Sequence, residues 1–568
     1  MKNKIVSREC RFVTHLPEIH NKRPDTHLIK EILHFEDGTS KPNLRRVVNY
    51  ERPLWVTKEA YRNHKQKKEW EDESKLKMVM TTESNKGRLL SKLLNAPHMW
   101  NRGNELMANP YVYGADMLSR SFIKKEYLKK YPDIFTANTV CMLDIETDVV
   151  KGTKDILMIT LVFGEKIFTV IDNDFVSGIS DVKGNVLSCA DKYIGEDIKE
   201  NNLDIEIVVT NDKLDIVKVA FEQIHKWMPD FLAIWNMDFD INEITKYIIK
   251  HKGYPEDILC DPSLPPELRH INYKKGKTKK VTASGQTKPL NPSEQWHTLD
   301  LSASFYVIDA MCTYRRLRSP PGPEEPSYSL DFILGKELNL GKLKFDEANH
   351  VSPGLPWHVF MQSKFKIEYI VYNIFDAYAM EKLEKKNKDL SYTLPKFSNT
   401  SIFEKFSSQP KMIADAFFFY AKEEKNNIMG SVGFVRDTEV EMVEDEDDED
   451  YVDTIENTGI LSLKGWIVTL PSHMSAPGLK LLEDFPDIAT NIRGYVADTD
   501  ATAAYPTATE VGNVSKSTTV KELSKIKGIP EPIFRSQNMN LILGPVNSVE
   551  YATNMFKAPE LEDILDLL

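Results

Sequence analysis

From Thr139 onward the chain alternates apolar, strand-like runs with helical ones, and several of the strands close on acids. The runs are TVCMLDIET, DILMITLVFG and KIFTVID, then a helical DKLDIVKVAFEQIHKWMPD, then FLAIWNMDFD. Strands of period two separated by amphipathic helices specify an α/β layer, because each element must bury one face against the next. An acid at the C-terminal end of a strand in an open α/β sheet stands where such sheets bind ligands. The expectation is therefore an α/β multidomain chain with a site built from carboxylates.

Three stretches supply those carboxylates. Asp144-Ile145-Glu146 ends the first run, and strand alternation puts both acids on one face. With 85 acids in 568 residues, about 13 acid-x-acid pairs arise by chance, so this pair alone says little. Trp235-Asn236-Met237-Asp238-Phe239-Asp240 closes a second strand and opens a helix. Tyr372-Asn373-Ile374-Phe375-Asp376 lies within the helical run EYIVYNIFDAYAMEKLE, where four-residue spacing sets the Tyr372 hydroxyl and the Asp376 carboxylate on one face. Four carboxylates held together call for cations, and hard oxygen ligands suit Mg²⁺ or Mn²⁺. Two such ions about 3.5–4 Å apart form the clamp that hydrolyses phosphodiesters.

The overall charge of −12 does not exclude a polyanionic partner. Nine acids and no Lys or Arg lie in EMVEDEDDEDYVD at 441–453, and setting those nine aside leaves −3. That run reads as a solvated loop. A basic segment, INYKKGKTKKVTASGQTKPLNPSEQW, carries Lys274, Lys275, Lys277, Lys279 and Lys280; it reads either as a local basic patch compatible with nucleic acid or as a basic loop that touches nothing. Five scattered cysteines with no CxxC pair suggest neither a disulfide framework nor a thiolate zinc site. No apolar run approaches the roughly 18–20 residues a bilayer requires, and the N-terminus is broken by charge before any signal-like core. The expectation is an unprocessed cytosolic protein without membrane contact.

The series DIET, WNMDFD and YNIFD resembles the Exo I, Exo II and Exo III motifs of the DnaQ-like (RNase H-like) 3′–5′ proofreading exonuclease of family B DNA polymerases. PSYSLDFILGKELNLGKLKFD at 326–346 resembles the stretch before Exo III in polymerases of T-even-like phages. The resemblance implies that Asp144, Glu146 and Asp376 hold a first metal, that Asp240 serves a second with Asp144 bridging, and that Tyr372 orients the attacking water. Asn236 and Phe239 match the remaining positions of Exo II and would contact DNA; Asp238 is an extra acid without an assigned role. In the phage relatives a β-hairpin between Exo II and Exo III, here the lysine-rich segment, helps move the primer end between active sites.

Near the C-terminus, Tyr495-Val496-Ala497-Asp498-Thr499-Asp500 followed by Ala503, Ala504 and Tyr505 resembles polymerase motif A. Asp500 would be the metal ligand, Ala503 and Ala504 would face the triphosphate through backbone N–H groups, and Tyr505 would exclude a ribose 2′-hydroxyl. The fingers motif and a second Asp-Thr-Asp-Ser are missing, so the resemblance spans roughly residues 40–518 and implies half of a polymerase site. It implies an α+β N-terminal domain at 1–135, the exonuclease domain at 136–388, a return to the N-terminal domain with the acidic loop at 389–459, and a partial family B palm at 460–568. The reading is the N-terminal subunit of a split family B DNA polymerase, acting on single-stranded and primer-template DNA in the cytoplasm of an infected bacterium. It would use dNTP only together with a second chain carrying motifs B and C, with a sliding clamp as a further candidate partner. The alternatives are a free-standing 3′–5′ DNA exonuclease, a non-catalytic DNA-binding accessory factor with a vestigial palm, and a truncated product.

Overall fold

The computed structural model describes residues 4–65, 67–132, 136–281, 287–318, 325–393 and 409–433. The acidic run at 441–453 and the motif A residues Asp500, Ala503, Ala504 and Tyr505, with all of 460–568, lie outside them.

The N-terminal region is built from small antiparallel sheets. Ile5–Leu16, Thr26–Phe35 and Ser40–Val48 form a three-stranded meander, and helix Ser119–Lys130 packs on it through Ile123 against Cys10, Val13 and Ile29. Leu76–Thr81, Arg52–Thr57 and Val112–Tyr113 form a second sheet. Late residues complete this region. Asn427–Met429 pairs with Trp70–Asp72, and Phe418 and Phe419 of helix Gln409–Lys425 join Trp55, Tyr113 and Phe122 in one core.

The α/β layer centres on a mixed eight-stranded sheet. Its strands are β1 (Val140–Thr147), β2 (Ile156–Phe163), β3 (Lys166–Asp172), β4 (Asp204–Thr210), β5 (Phe231–Ile234), β6 (Ile271–Lys274), β7 (Thr298–Leu301) and β8 (Tyr306–Asp309). The order across the sheet is β4-β3-β2-β1-β5-β8-β7-β6. β5 runs parallel to both β1 and β8, and the register aligns Leu143, Ile234 and Asp309 in one row. The C-terminal ends of three neighbouring strands therefore meet, and the residues just beyond them become neighbours.

Helices cover both faces: α1 (Val182–Glu200), α2 (Asp215–Trp227), α3 (Met237–Lys250), α4 (Ala310–Arg318), α5 (Leu330–Leu338), α6 (Leu355–Lys364) and α7 (Lys366–Asn387). Alternation along β1 divides the core. Cys141, Leu143 and Ile145 pack toward α2, whose Ile216, Val217, Ala220, Phe221 and Ile224 follow a helical stripe, and toward α3. Val140 and Met142 face the opposite cluster, which holds α1 and α7. Asp144 and Glu146 continue that second series, so the pleat aims both carboxylates at α7.

Between Tyr369 and Met380 every residue of α7 is buried, as expected of a helix packed between a sheet and further helices. Polar groups in such a helix must find partners; those nearest the acids of β1 find them in the β1 carboxylates and a loop lysine, and Tyr378 finds Asp197 of α1.

A candidate carboxylate active site

Each acid is positioned by a different local device. On β1, the half-buried Asp144 receives a hydrogen bond from Asn373 Nδ2 of α7 at 2.6 Å, and Asn373 Oδ1 in turn accepts from Thr160 Oγ1 of β2 at 2.5 Å. Glu146 Oε2 accepts a short hydrogen bond from the Tyr369 hydroxyl. That phenol is held by Gln362 Nε2 at 3.1 Å and by His358 Nδ1 at 2.8 Å. Gln362 also donates to Thr147 O at 2.9 Å, which ties α6 to the end of β1.

Asp240 sits in the first turn of α3, buried, while Asn236 and Phe239 beside it are exposed. The start of α3 is fixed from outside the helix. Asp309, the last residue of β8, accepts from Met237 N at 3.1 Å and, through its other oxygen, from Cys312 N of α4 at 2.7 Å. One buried carboxylate thus caps two helices, satisfying amides that would otherwise be orphaned. Burial nevertheless pushes the Asp309 carboxyl up to about 7, against those amide bonds.

Asp376 lies one turn beyond Tyr372 on α7, and a single side chain reaches both: Lys342 Nζ donates to Asp376 Oδ2 at 2.7 Å and to the Tyr372 hydroxyl at 2.5 Å. Lys342 is placed by the chain that follows α5. The helix is capped by Ser329 and ends at Asn339 in the left-handed conformation; the chain then turns so that Asp331 Oδ1 accepts from Lys342 N at 2.8 Å.

The four carboxyls act on one another. Burial first, then Asp376, Asp240 and Glu146, raise Asp144 well above the ordinary carboxylate range. Asp240 is raised well above it by burial, Glu146 and Asp309. Glu146 reaches about 7 through burial, opposed by the Tyr369 hydrogen bond, with Asp376 adding to the rise. Asp376 is raised by burial against the pull of Lys342. Lys342 itself is held above the usual lysine value by Asp376, Asp144 and Glu146 in spite of its burial. Burial, with Asp376, Glu146 and Asp144, also raises the Tyr372 hydroxyl, so that it remains a phenol.

No three of the four carboxylates bring ligand oxygens within 4.8 Å of one another. The donor set still fits divalent cations: the oxygens are hard, their charge exceeds what Lys342 offsets, and the buried Asp376 Oδ1 has no hydrogen-bond partner.

The structure turns Asp238 elsewhere. Its Oδ1 accepts from Tyr273 OH of β6 at 2.6 Å and from Asn242 Nδ2 at 2.8 Å, with His297 at 3.6 Å. Burial opposes it, yet these partners hold its carboxyl below the ordinary value. It anchors α3 to the sheet edge.

The lysine-rich segment leaves β6 and forms a hairpin, Lys279–Val281 pairing antiparallel with Thr287–Pro289. Lys274, Lys275, Lys277 and Lys279 are exposed, and Lys274 lies 3.9 Å from Asp300. The side chain of Lys280 is outside the description. Gly276 is required by contact: a Cβ there would stand 2.4 Å from the backbone oxygen of Trp296.

Lys342, Asn373, Tyr369 and Asp309 were not singled out from sequence. Asp309, directly before a helical run, carried a capping signal; the others had no local one.

No protein-family model matches the chain. Over 225 residues it is 34% identical to the DNA-directed DNA polymerase of Escherichia phage RB69, a match covering 37% of this chain and 20% of that polymerase. The match thus spans about a fifth of the relative's length, and it relates this chain to a T-even-like phage DNA polymerase. Among the described residues, no helix is long and apolar enough to cross a membrane.

Proposed function

We propose that this chain is a 3′–5′ DNA exonuclease with a DnaQ-like fold, serving as the N-terminal subunit of a split family B DNA polymerase. The observation that carries the hydrolytic reading is the convergence of Asp144, Glu146, Asp240 and Asp376, from a strand and two helices, with their carboxyls electrostatically linked. Asp144, Glu146 and Asp376 would hold one Mg²⁺ or Mn²⁺, and Asp240 a second shared with Asp144. Bound there, the two ions supply the Lewis acidity for phosphodiester hydrolysis. Tyr372, kept protonated, orients the attacking water by a hydrogen bond and does not act as a base. Lys342 holds that phenol and Asp376 in one arrangement. Asn236 and Phe239 face the strand being degraded, and the lysine hairpin meets its phosphates.

The synthetic half of the proposal rests on the similarity to a phage DNA polymerase and on the motif A resemblance at Asp500 and Tyr505. Primer-template DNA and dNTP would be substrates only once a second chain supplies the remaining motifs.

The test is degradation of 5′-labelled single-stranded DNA by the purified chain in Mg²⁺. Progressive shortening from the 3′ end is expected, and Asp144→Ala with Glu146→Ala should remove nearly all of it. Full activity in the double variant would refute the site. Adding a chain that carries motifs B and C should restore primer extension; Asp500→Ala should then abolish extension and leave hydrolysis intact. A free-standing nuclease would hydrolyse equally well but gain no synthesis from any added chain.

A further inference from the structure

A second group of ligand-type side chains lies in the N-terminal meander, away from the carboxylates. His15 and His27 are direct cross-strand partners in the antiparallel pair Ile5–Leu16/Thr26–Phe35. Cross-strand partners project to the same face, and Asp25, two residues before His27, shares it. His15 Nε2 lies 3.2 Å from Asp25 Oδ2, and His27 Nδ1 lies 3.7 Å from Asp25 Oδ1. One ligand atom from each residue lies within 4.8 Å of the other two.

Two of these atoms are anomalous as ordinary interior groups. Asp25 is 1% exposed and His27 0%, yet Asp25 Oδ1 and His27 Nδ1 have no hydrogen-bond partner. Unsatisfied buried polar atoms cost about 1–3 kcal/mol each, so two that face one another call for a group between them. Their 3.7 Å separation is too long for a hydrogen bond. It is close to the edge of about 3.4 Å between two ligands of a tetrahedral ion bound at about 2.1 Å.

The surroundings match. His27 Nε2 lies 2.7 Å from Ser119 Oγ. When Nε2–H donates there, the lone pair of Nδ1 points at Asp25, as metal-bound histidines are set by a partner on the far nitrogen. Asp25 Oδ2 is hydrogen-bonded to Ser84 N at 2.8 Å and to His15 Nε2 at 3.2 Å, which leaves Oδ1 for an ion; His15 Nε2 would exchange that bond for the metal. The His15 and His27 rings stack with centroids 4.7 Å apart, and His15 is only partly buried, opening a route from solvent. Of the other charged groups acting on His27, Glu83 favours a cation and Arg120 opposes one.

We infer that His15, Asp25 and His27 form a binding site for a transition-metal ion of the Zn²⁺ class. Two imidazoles and one carboxylate select Zn²⁺ over Mg²⁺, which distinguishes this site from the all-carboxylate cluster. Three protein ligands leave a fourth position for water. The ion would staple the hairpin to helix Ser119–Lys130 through Ser119 and to Ser84, so its role is structural.

The experiment uses the full chain, freed of metal with a chelator and carrying Asp144→Ala and Glu146→Ala so that the carboxylate cluster does not compete. Co²⁺ is titrated in, followed by its visible absorption, and then displaced with Zn²⁺. One equivalent bound, with the spectrum of a nitrogen-ligated ion of low coordination number and a Zn²⁺-dependent rise in unfolding temperature, is expected. His15→Ala, at the accessible edge, should fold yet lose both signals. Ser119→Ala should weaken binding about 10- to 100-fold. Absence of stoichiometric binding, or binding undiminished by His15→Ala and Asp25→Asn, would overturn the site.

Discussion

Lys342 Nζ stands 2.7 Å from Asp376 Oδ2, so a loop between two helices delivers the compensating charge to the carboxylate contributed by α7. The lysine is part of the site's electrostatics, because Asp144 and Glu146 also raise its pKa.

Lys342→Ala should therefore separate binding from turnover. Removing the cation makes the cluster more negative, so half-saturation by Mg²⁺ moves to lower concentration. Tyr372 and Asp376 lose their common partner at the same time, and turnover on single-stranded DNA falls by about 10- to 100-fold. Metal-dependence curves of the exonuclease rate read both. A variant that merely needs more Mg²⁺ and then regains full rate would contradict this account.

Asn373 links Asp144 to Thr160 inside the core. Asn373→Leu keeps the approximate volume but leaves Asp144 without its amide partner and Thr160 with Thr169 alone, at a cost of about 1–3 kcal/mol in stability. Asp144 also loses its orienting bond. Urea unfolding should show the lower stability, and hydrolysis should fall further than the stability loss explains at temperatures where the variant is fully folded.

The hairpin after β6 should matter for paired ends alone. Under the proposed exonuclease function a frayed strand would reach the carboxylates unaided, whereas a paired terminus would have to be unzipped at about 1.4 kcal/mol per stacked step. Deleting residues 274–292 should slow excision from duplex ends far more than from single strands. Gly276→Ala should do the same more mildly, because its Cβ meets the backbone of Trp296 and displaces the hairpin stem. Equal losses on both substrates would remove the strand-separating role.

Glu381 of α7 offers a pH test outside the cluster. It is 7% exposed, and burial, helped by Glu384 and opposed by Lys385, pushes its carboxyl up to about 7 from 4.5. Between those values the folded protein keeps a proton that the unfolded chain has released, so stability falls as pH rises from 4.5 to 7 and is level above. Glu381→Gln should flatten part of that decline and raise stability at pH 8 by on the order of 1–3 kcal/mol. Thermal unfolding of both proteins at pH 4.5 and pH 8 decides it, and an equal shift at the two values would show that ionisation of Glu381 is not the cause.

Local pattern alone determined several things about this protein. The alternation from Thr139 is a statement about faces, so it specified an α/β layer and put Asp144 and Glu146 side by side. The four-residue step on α7 likewise set Tyr372 and Asp376 where one lysine reaches both. A strand that closes into a helix placed Asp240 in a first turn. These are period-two and period-3.6 facts, readable without knowing what packs on what.

Partnership was decided by the tertiary structure. That α7 covers the Val140–Met142 face of β1 makes Asn373 and Tyr369 the partners of Asp144 and Glu146. That β5 lies between β1 and β8 brings Asp309 under the first turn of α3. Asp238 and Asp240, two residues apart, serve different neighbours because a helix turns by about 200° over that interval. The pairing of His15 with His27 is a matter of strand register, invisible until the meander forms. Hydrogen bonds and ion pairs act over a few ångströms, while Asp144 and Asn373 at the carboxylate site lie 229 residues apart in the chain. Only the order of the strands and the face each helix covers could bring them together.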